Sequence, residues 1–465
     1  MPSLSVEQIY TSCLAQGSYY IVSNNEAIII DPIREAKPYL DRLAKDGVKL
    51  KYILETHFHA DFVSGHLDLS KLTGAPIIYG PEAHTEFDFI QGKDGEFFKF
   101  GNCSFKLIHT PGHTLESSVY LLFDENGKEY SLFTGDTLFI GDVGRPDLAQ
   151  FNSNYSQEDL AGMLYDSLRN KIINLPSNII IYPGHGAGSA CGKSISKETI
   201  STLGIQLETN YALRKNMTRE EFILEVLDGL INPPDYFRMN VAINKSEYTQ
   251  LDDLLLSSNH PLDLSEFETL SNNPEILILD SRDPTLFFTQ YIPGSLSIGL
   301  DGDFAPWAGS IISNVNQQII LICDEGKEEE TIIRLSRVGF DKVIGYLKGG
   351  IHTWNIANKP TEHIFRITAN QFAESTLFKN AQIFDVRKES EFQKGHLVGA
   401  LNLPLANIHK WSDEINEINP FVIHCATGYR SMIASSILKA KGIYNFVEIE
   451  GGYKAISKTQ ITIKN

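Results

Sequence analysis

His57-Phe58-His59-Ala60-Asp61-Phe62 follows the apolar run Tyr52 to Leu54. The run reads as a buried strand, which puts the polar residues on the loop at its end. H-x-H-x-D is a metal-binding signature: in extended backbone alternate residues face one way, so His57, His59 and Asp61 could converge on one cation. Phe62 breaks the pattern, because a phenyl ring ligates nothing. Further ligands should come from other strand ends, and three segments qualify. Thr110-Pro111-Gly112-His113-Thr114 follows a strand ending at Ile108, Thr134-Gly135-Asp136-Thr137 follows Tyr130 to Phe133, and Tyr182-Pro183-Gly184-His185-Gly186 follows Ile179 to Ile181. Each has Gly beside the ligand, where close backbone approach is cheap.

These segments lie in the first 230 or so of 465 residues, a length that calls for about three domains. Apolar strands (Tyr19 to Val22, Ala27 to Ile30, Phe105 to Ile108, Val119 to Phe123) alternate there with helical patterns. One helix is expected over Ser156 to Leu175 with a Ser156/Asp159 cap, another from Thr218 with Glu221 at the capping position, stopping before Pro233-Pro234. Ser257-Ser258-Asn259-His260-Pro261 reads as a linker.

Beyond it the chain repeats itself. Asp280-Ser281-Arg282 precedes Tyr291-Ile292-Pro293-Gly294, and Asp385-Val386-Arg387 precedes His396-Leu397-Val398-Gly399 at the same offset. Each copy then has a strand ending in Cys (Cys323, Cys425), a helix and a Gly-Gly pair (Gly349-Gly350, Gly451-Gly452). Two related domains of roughly a hundred residues each follow from this.

Composition narrows the function classes. The net charge of -18 argues against general nucleic-acid binding, which needs cations for the phosphates, and against anionic membrane surfaces. Met1 to Glu7 has no basic segment leading into an apolar one, so no secretory signal is expected, and no window approaches a membrane span. Five widely spaced cysteines without C-x-x-C fit a reducing cytoplasm with working thiols better than a disulfide framework. Gly186 to Ser194 is no P-loop, since Ala187 stands where the first Gly is needed.

The four ligand segments, in this order, resemble the metallo-β-lactamase superfamily, and within it the persulfide dioxygenase branch. In the superfamily the motif runs H-x-H-x-D-H, its last His serving a second metal; Phe62 stands there, so one metal is expected. Carried over, the resemblance implies an αββα sandwich with Fe(II), one per chain, held by His57, His113 and Asp136. Two imidazoles and a carboxylate leave open positions for substrate and O₂ on such an ion. His59, Asp61 and His185 become supporting groups or, alternatively, ligands of a second metal. Arg145, in Gly144-Arg145-Pro146-Asp147, is a candidate for binding a substrate carboxylate or for an internal pair with Asp147. Cys191 is a buried inert thiol or a sulfur relay.

Phe421 to His424 reads as a strand, Cys425-Ala426-Thr427-Gly428-Tyr429-Arg430 as a loop, and Ser431 to Lys439 as a helix. Backbone N–H groups, the helix N-terminus and Arg430 would all favour an anion at Cys425, which is expected as a thiolate. The loop resembles that of rhodanese sulfurtransferases, with Cys425 carrying a persulfide; phosphatase loops of the dual-specificity type are one residue longer. In the first copy Glu328 takes the place of Arg430, and nearby negative charge disfavours a thiolate. That copy is expected to be weak or dead at Cys323.

The expected architecture is a metallo-β-lactamase αββα sandwich (residues 1-255) followed by two α/β rhodanese-like domains (262-360, degenerate, and 364-465). The expected reaction is oxidation of a low-molecular-weight persulfide by O₂ to sulfite and thiol, coupled to sulfur transfer involving sulfite or thiosulfate, with homo-oligomerisation open. Two alternatives stay open: a dinuclear zinc hydrolase of the glyoxalase II or lactonase kind, and a sulfur carrier or redox sensor without turnover.

Overall fold

Residues 4–148, 154–230, 232–376, 378, 381–415 and 419–464 are described by the computed structural model; Met1 to Ser3 of the N-terminal reading lie outside them. The early apolar runs form two six-stranded sheets. The first is ordered β1 (Leu4–Thr11), β2 (Gln16–Ser23), β3 (Glu26–Ile30), β4 (Lys49–Leu54), β5 (Ile77–Tyr79), β6 (Ile90–Gln91). The second runs from β7 (Phe97–Phe100) through β8 (Cys103–His109), β9 (Ser118–Phe123), β10 (Glu129–Gly135) and β11 (Ile180–Pro183) to β12 (Ser201–Thr202).

Alternation decides what each face packs on. Tyr120, Leu122 and Phe133 join Ile28, Ile30, Leu54 and Ile78 in the core between the sheets. Their neighbours Val119, Leu121 and Leu132 face the other way, onto Leu164, Leu168, Phe222 and Val226 of the flanking helices. Burying each such side chain contributes roughly 1.5–3 kcal/mol. This gives the expected αββα layering. The helix Gln157–Ser167 starts at the Ser156/Asp159 capping box and passes into a π-helical turn, Leu168–Ile172, rather than continuing as one helix. The helix Arg219–Leu227 starts at the Thr218/Glu221 box.

The Ser257 to Pro261 linker is a correction. Ser257 and Ser258 close a helix, Leu251–Ser258, whose Leu251 and Leu254 are buried. Pro261–Leu262 is already strand β13. Polar residues at a helix end and an edge strand had the composition of a loop.

The chain folds as two compact units, Met1–Leu251 with Ser336–Gly339, and Asp252–Leu335 with Phe340–Asn465. The second unit holds two five-stranded sheets, the first ordered β13, β17 (Val343–Leu347), β16 (Gln318–Ile322), β14 (Ile276–Asp280), β15 (Leu296–Ser297). The other is ordered β18 (Arg366–Ile367), β23 (Phe446–Ile449), β22 (Phe421–His424), β19 (Gln382–Asp385), β21 (Ala400–Asn402), with β20 (His396–Leu397) and β24 (Ile463–Lys464) paired separately. The order is the same in both and all neighbours are parallel, so the repeat seen in sequence is a repeat of fold. Ile319 to Ile322 are buried on both faces, as parallel strands require. Asp280 and Asp385 each take a bidentate pair from the Arg two residues on, Arg282 and Arg387. The D-x-R motif is thus part of the frame in both copies. No helix among the described residues is long and apolar enough to cross a membrane.

Candidate metal centre and thiol site

Strands β8, β10 and β11 run the same way, since β8 and β10 are both antiparallel to β9 and β11 is parallel to β10. Their C-terminal ends therefore lie together, and Ser118 N–H bonds Thr56 O (2.9 Å) to bring the end of β4 beside them. The side chains delivered there are His57, His113 and Asp136, whose ligand atoms lie within 4.8 Å of one another. Asp136 Oδ2 faces His113 Nε2 at 3.4 Å and His57 Nε2 at 3.8 Å.

Hydrogen bonds on the far side of each group aim it. His113 Nδ1 donates to Arg145 O (2.8 Å), leaving the Nε2 lone pair inward; that Nε2 is buried with no hydrogen-bond partner among the described residues. Thr56 spends its hydroxyl proton on Asp31 Oδ2 (2.8 Å), so its oxygen accepts from His57 Nδ1 (2.9 Å) and His57 also presents a bare Nε2. Burial and the neighbouring His59 push His57 well below the usual imidazole range, which keeps the ring neutral. Burial would raise Asp136, but the charge of His185 foremost outweighs it and holds the carboxylate ionised. Two bare ring nitrogens and one carboxylate oxygen facing a common point fit a single divalent cation.

His57, His59 and Asp61 do not converge as their alternation suggested. The loop bends after His57, so the period of a strand no longer applies. His59 Nε2 lies 3.2 Å from Asp31 Oδ1 and 3.3 Å from Glu55 Oε2. Burial disfavours its charged form, yet these two carboxylates push it up to about 10. The buried Phe62 ring lies on the His59 ring, with centroids 4.3 Å apart. Asp61 turns instead to His185 Nε2 (2.8 Å), while His185 Nδ1 bonds Asp136 Oδ1 (2.9 Å). Burial notwithstanding, the two carboxylates hold His185 well above the usual range, as an imidazolium with no lone pair to offer. Asn244 clamps the loop, donating to His59 O and Phe62 O (2.8 Å each) and accepting from Ser64 N–H.

Arg145 makes the internal pair. Its guanidinium grips Asp147 bidentately (2.6 and 2.7 Å), and both side chains are buried. Cys191 lies with Asp61 and His185 in a second buried group of ligand-type atoms, where burial and the Asp61 and Asp136 charges push its thiol well up. These surroundings disfavour the thiolate that a relay nucleophile would need. A cleft of about 170 Å³ is lined by Phe58, Ala60 and Thr114, which flank the ligand residues, and by Phe237, Arg238 and Lys245 of the helix Tyr236–Lys245.

In the second unit, Cys425 follows β22 and the helix Tyr429–Ala440 follows its loop. Cys425 is buried, and its sulfur accepts from Gly428 N–H (3.1 Å), with Ser431 Oγ, which bonds Glu448 Oε1 (2.6 Å), 3.5 Å away. Gly452 closes against the loop: at φ +51°, a Cβ would stand 2.3 Å from Cys425 O. Arg430 departs from the expectation. Its guanidinium is bound bidentately by Glu391 (2.5 and 2.9 Å), so much of its charge is answered by a carboxylate. Cys323 in the first repeat is buried beside Asp280 and Glu328, and burial together with these carboxylates pushes its thiol up to about 12.

Sequence reasoning missed Asp31, Thr56, Glu55, Asn244 and Glu391. Asp31 had a signal, a carboxylate directly after the buried run Ile28 to Ile30. The others look like ordinary polar residues until the fold sets them beside the site.

A two-sheet sandwich with a His/His/Asp centre, joined to two parallel-sheet domains that each place a cysteine directly after a central strand, defines the class. The metallo-beta-lactamase superfamily matches residues 13–185 and the rhodanese-like domain matches residues 263–357 and 368–459. The mitochondrial persulfide dioxygenase of Mus musculus is 32% identical over 222 residues, 47% of this chain and 78% of that protein. A hydroxyacylglutathione hydrolase of Pelagibacter ubique is 36% identical over 179 residues, 37% of this chain and 68% of that protein. A solved metallo-beta-lactamase from Staphylococcus aureus superposes with a TM-score of 0.65 at 31% identity, covering 74% of this chain and 98% of that one. The chain belongs to the metallo-beta-lactamase superfamily, with persulfide dioxygenases among its relatives, and carries two rhodanese-like domains C-terminal to that fold.

Proposed function

We propose that this chain oxidises low-molecular-weight thiol persulfides with O₂ at a mononuclear Fe(II) held by His57, His113 and Asp136. Its second rhodanese-like domain would then move sulfane sulfur between persulfide and sulfite or thiosulfate. The observation that carries the one-metal reading is the division of the ligand-type residues. Of the three buried groups of converging ligand-type atoms, only His57, His113 and Asp136 supply two imidazoles and a carboxylate, while His59 is engaged by Asp31 and Glu55 and His185 by Asp136 and Asp61.

Iron bound there would supply the electron-transfer chemistry that lets O₂ react with sulfur. The rest is the work of this chain's residues. Phe58 and Phe237 form an apolar wall for the carrier thiol, and Arg238 and Lys245 meet anionic groups on it. The imidazolium of His185 keeps Asp136 oriented. RSSH, O₂ and H₂O balance to RSH, SO₃²⁻ and two protons. At the thiol site, Cys425 attacks the terminal sulfur of a persulfide; the new S–S bond forms as the old one breaks, and the carrier leaves as thiolate and takes the proton given up by Cys425. Sulfite then takes that terminal sulfur from Cys425, giving thiosulfate and the free cysteine. Domain limits of 1-255, 262-360 and 364-465 belong to this reading, as does a reducing, cytoplasmic setting, which five unpaired cysteines support.

The test is O₂ uptake with glutathione persulfide by the iron-loaded chain, with products followed in parallel. Wild type should release thiosulfate. Cys425→Ser should take up O₂ as before but accumulate sulfite. No O₂ uptake by wild type sinks the proposal. The hydroxyacylglutathione hydrolase relatives favour a second reading, a zinc hydrolase with an accessory sulfurtransferase. Two zinc ions per chain with thioester hydrolysis would select it.

A further inference from the structure

Tyr429 stands between Gly428, whose N–H bonds the Cys425 sulfur (3.1 Å), and Arg430. Its own hydroxyl reaches out of the domain: it donates to Gly299 O at 2.7 Å, in the first repeat. Its ring lies on Gly302, at φ +154°, where a Cβ would come 2.8 Å from Tyr429 Cε2. Farther along the same helix, Ser436 Oγ accepts Ser297 N–H (3.0 Å), a buried bond. One strap, Ser297 to Asp303, thus touches the Cys425 helix at its first turn and again two turns on.

The strap is held from its own side as well. Ile298 N–H bonds Asp280 O (3.0 Å), Leu300 N–H bonds Ser281 O (2.9 Å), and Arg334 Nη1 bonds Leu300 O (2.7 Å). Asp280 and Ser281 are the residues packed under Cys323, whose thiol Ser281 Oγ contacts at 3.3 Å. Around Cys323 the strand order and the Asp280–Arg282 pair are kept, burial and carboxylates push its thiol up, and its strap bonds the helix that follows the Cys425 loop.

We propose that the first rhodanese-like repeat is a positioning element for the second: the strap Ser297 to Asp303, acting on Tyr429, sets the geometry of the Cys425 loop and with it the reactivity of that thiol. This rests on the reading of Cys425 as the sulfur-carrying cysteine. Tyr429 is the positioning residue, acting through the Gly428 N–H that reaches the sulfur. A hydrogen bond of that kind weakens steeply with angle, and displacement of a reacting group by about 1 Å can cost on the order of 10²-fold in rate.

The test uses the full iron-loaded chain with two variants, Gly302→Val, which lies in the first repeat away from every reacting atom, and Tyr429→Phe, which removes a single hydroxyl. Carbamidomethylation of Cys425 by iodoacetamide is followed by peptide mass spectrometry from about pH 6 to about pH 9. Thiocyanate formation from thiosulfate and cyanide gives kcat and KM, and O₂ uptake with glutathione persulfide serves as the control for the metal centre. Gly302→Val should slow alkylation and transfer about tenfold, with the loss in kcat rather than KM, and Tyr429→Phe about threefold. O₂ uptake should be unchanged in both. Alkylation and transfer within about twofold of wild type in both variants would overturn the proposal. If Gly302→Val abolishes the cooperative unfolding of its unit, Tyr429→Phe alone decides. Absence of thiocyanate formation by wild type would refute the sulfurtransfer reading, while the alkylation profile still decides the positioning.

Discussion

Thr56 carries more of the metal centre than its chemistry suggests. Its one hydroxyl proton goes to Asp31, and its oxygen is then the acceptor that fixes the tautomer of His57. Thr56→Val keeps the shape and breaks the relay; iron affinity should fall about 10- to 100-fold with the fold retained, as read by chelator competition. Asp136→Asn removes the only carboxylate of the triad and should leave the purified chain with almost no bound metal by elemental analysis. At the thiol sites the sign follows from the direction of the shift. A thiol pushed up to about 12 is protonated throughout the neutral range, so Cys323 should resist iodoacetamide at pH values near 8 while Cys425 is labelled. Equal labelling of the two would contradict the assignment of a dead first repeat. His57, His113 and Asp136 could be picked from the sequence because each sits in a short motif at a strand end. Thr56 could not, because its role lies in whom it touches.

Among the elements, capping chemistry was the most legible. Ser156/Asp159 and Thr218/Glu221 are reciprocal boxes in the structure as in the sequence, and local signals of this kind depend on only four consecutive residues. Thr218→Ala should cost about 1 kcal/mol in urea unfolding and leave iron content untouched. The loop after β4 was the least legible. Alternation is a property of extended backbone, and the loop's bends send His59 toward Asp31 and Asp61 toward His185. The helix Leu251–Ser258 was masked in the same way, its polar end read as a linker.

For the whole molecule, division into two compact units predicts two calorimetric transitions. Iron bound at about 100 times its dissociation constant would add about 2.7 kcal/mol to the unit that holds it. Removal with a chelator should therefore lower one transition and leave the other in place. A shift of both would mean that the units unfold as one.

Short-range pattern was enough to establish the sandwich and the duplicated parallel domains, and to single out His57, His113, Asp136 and Cys425 as candidates. Those features rest on periodicity, on motifs a few residues long, and on a family resemblance built from them. Which carboxylates occupy His59 and His185, that Arg145 and Arg430 are bound by Asp147 and Glu391, and that the first repeat reaches Tyr429 all became visible only in the folded chain. The reason is physical. A buried charge takes whichever partner the packing brings within about 3 Å, and in most of these cases that partner lies tens of residues away along the chain.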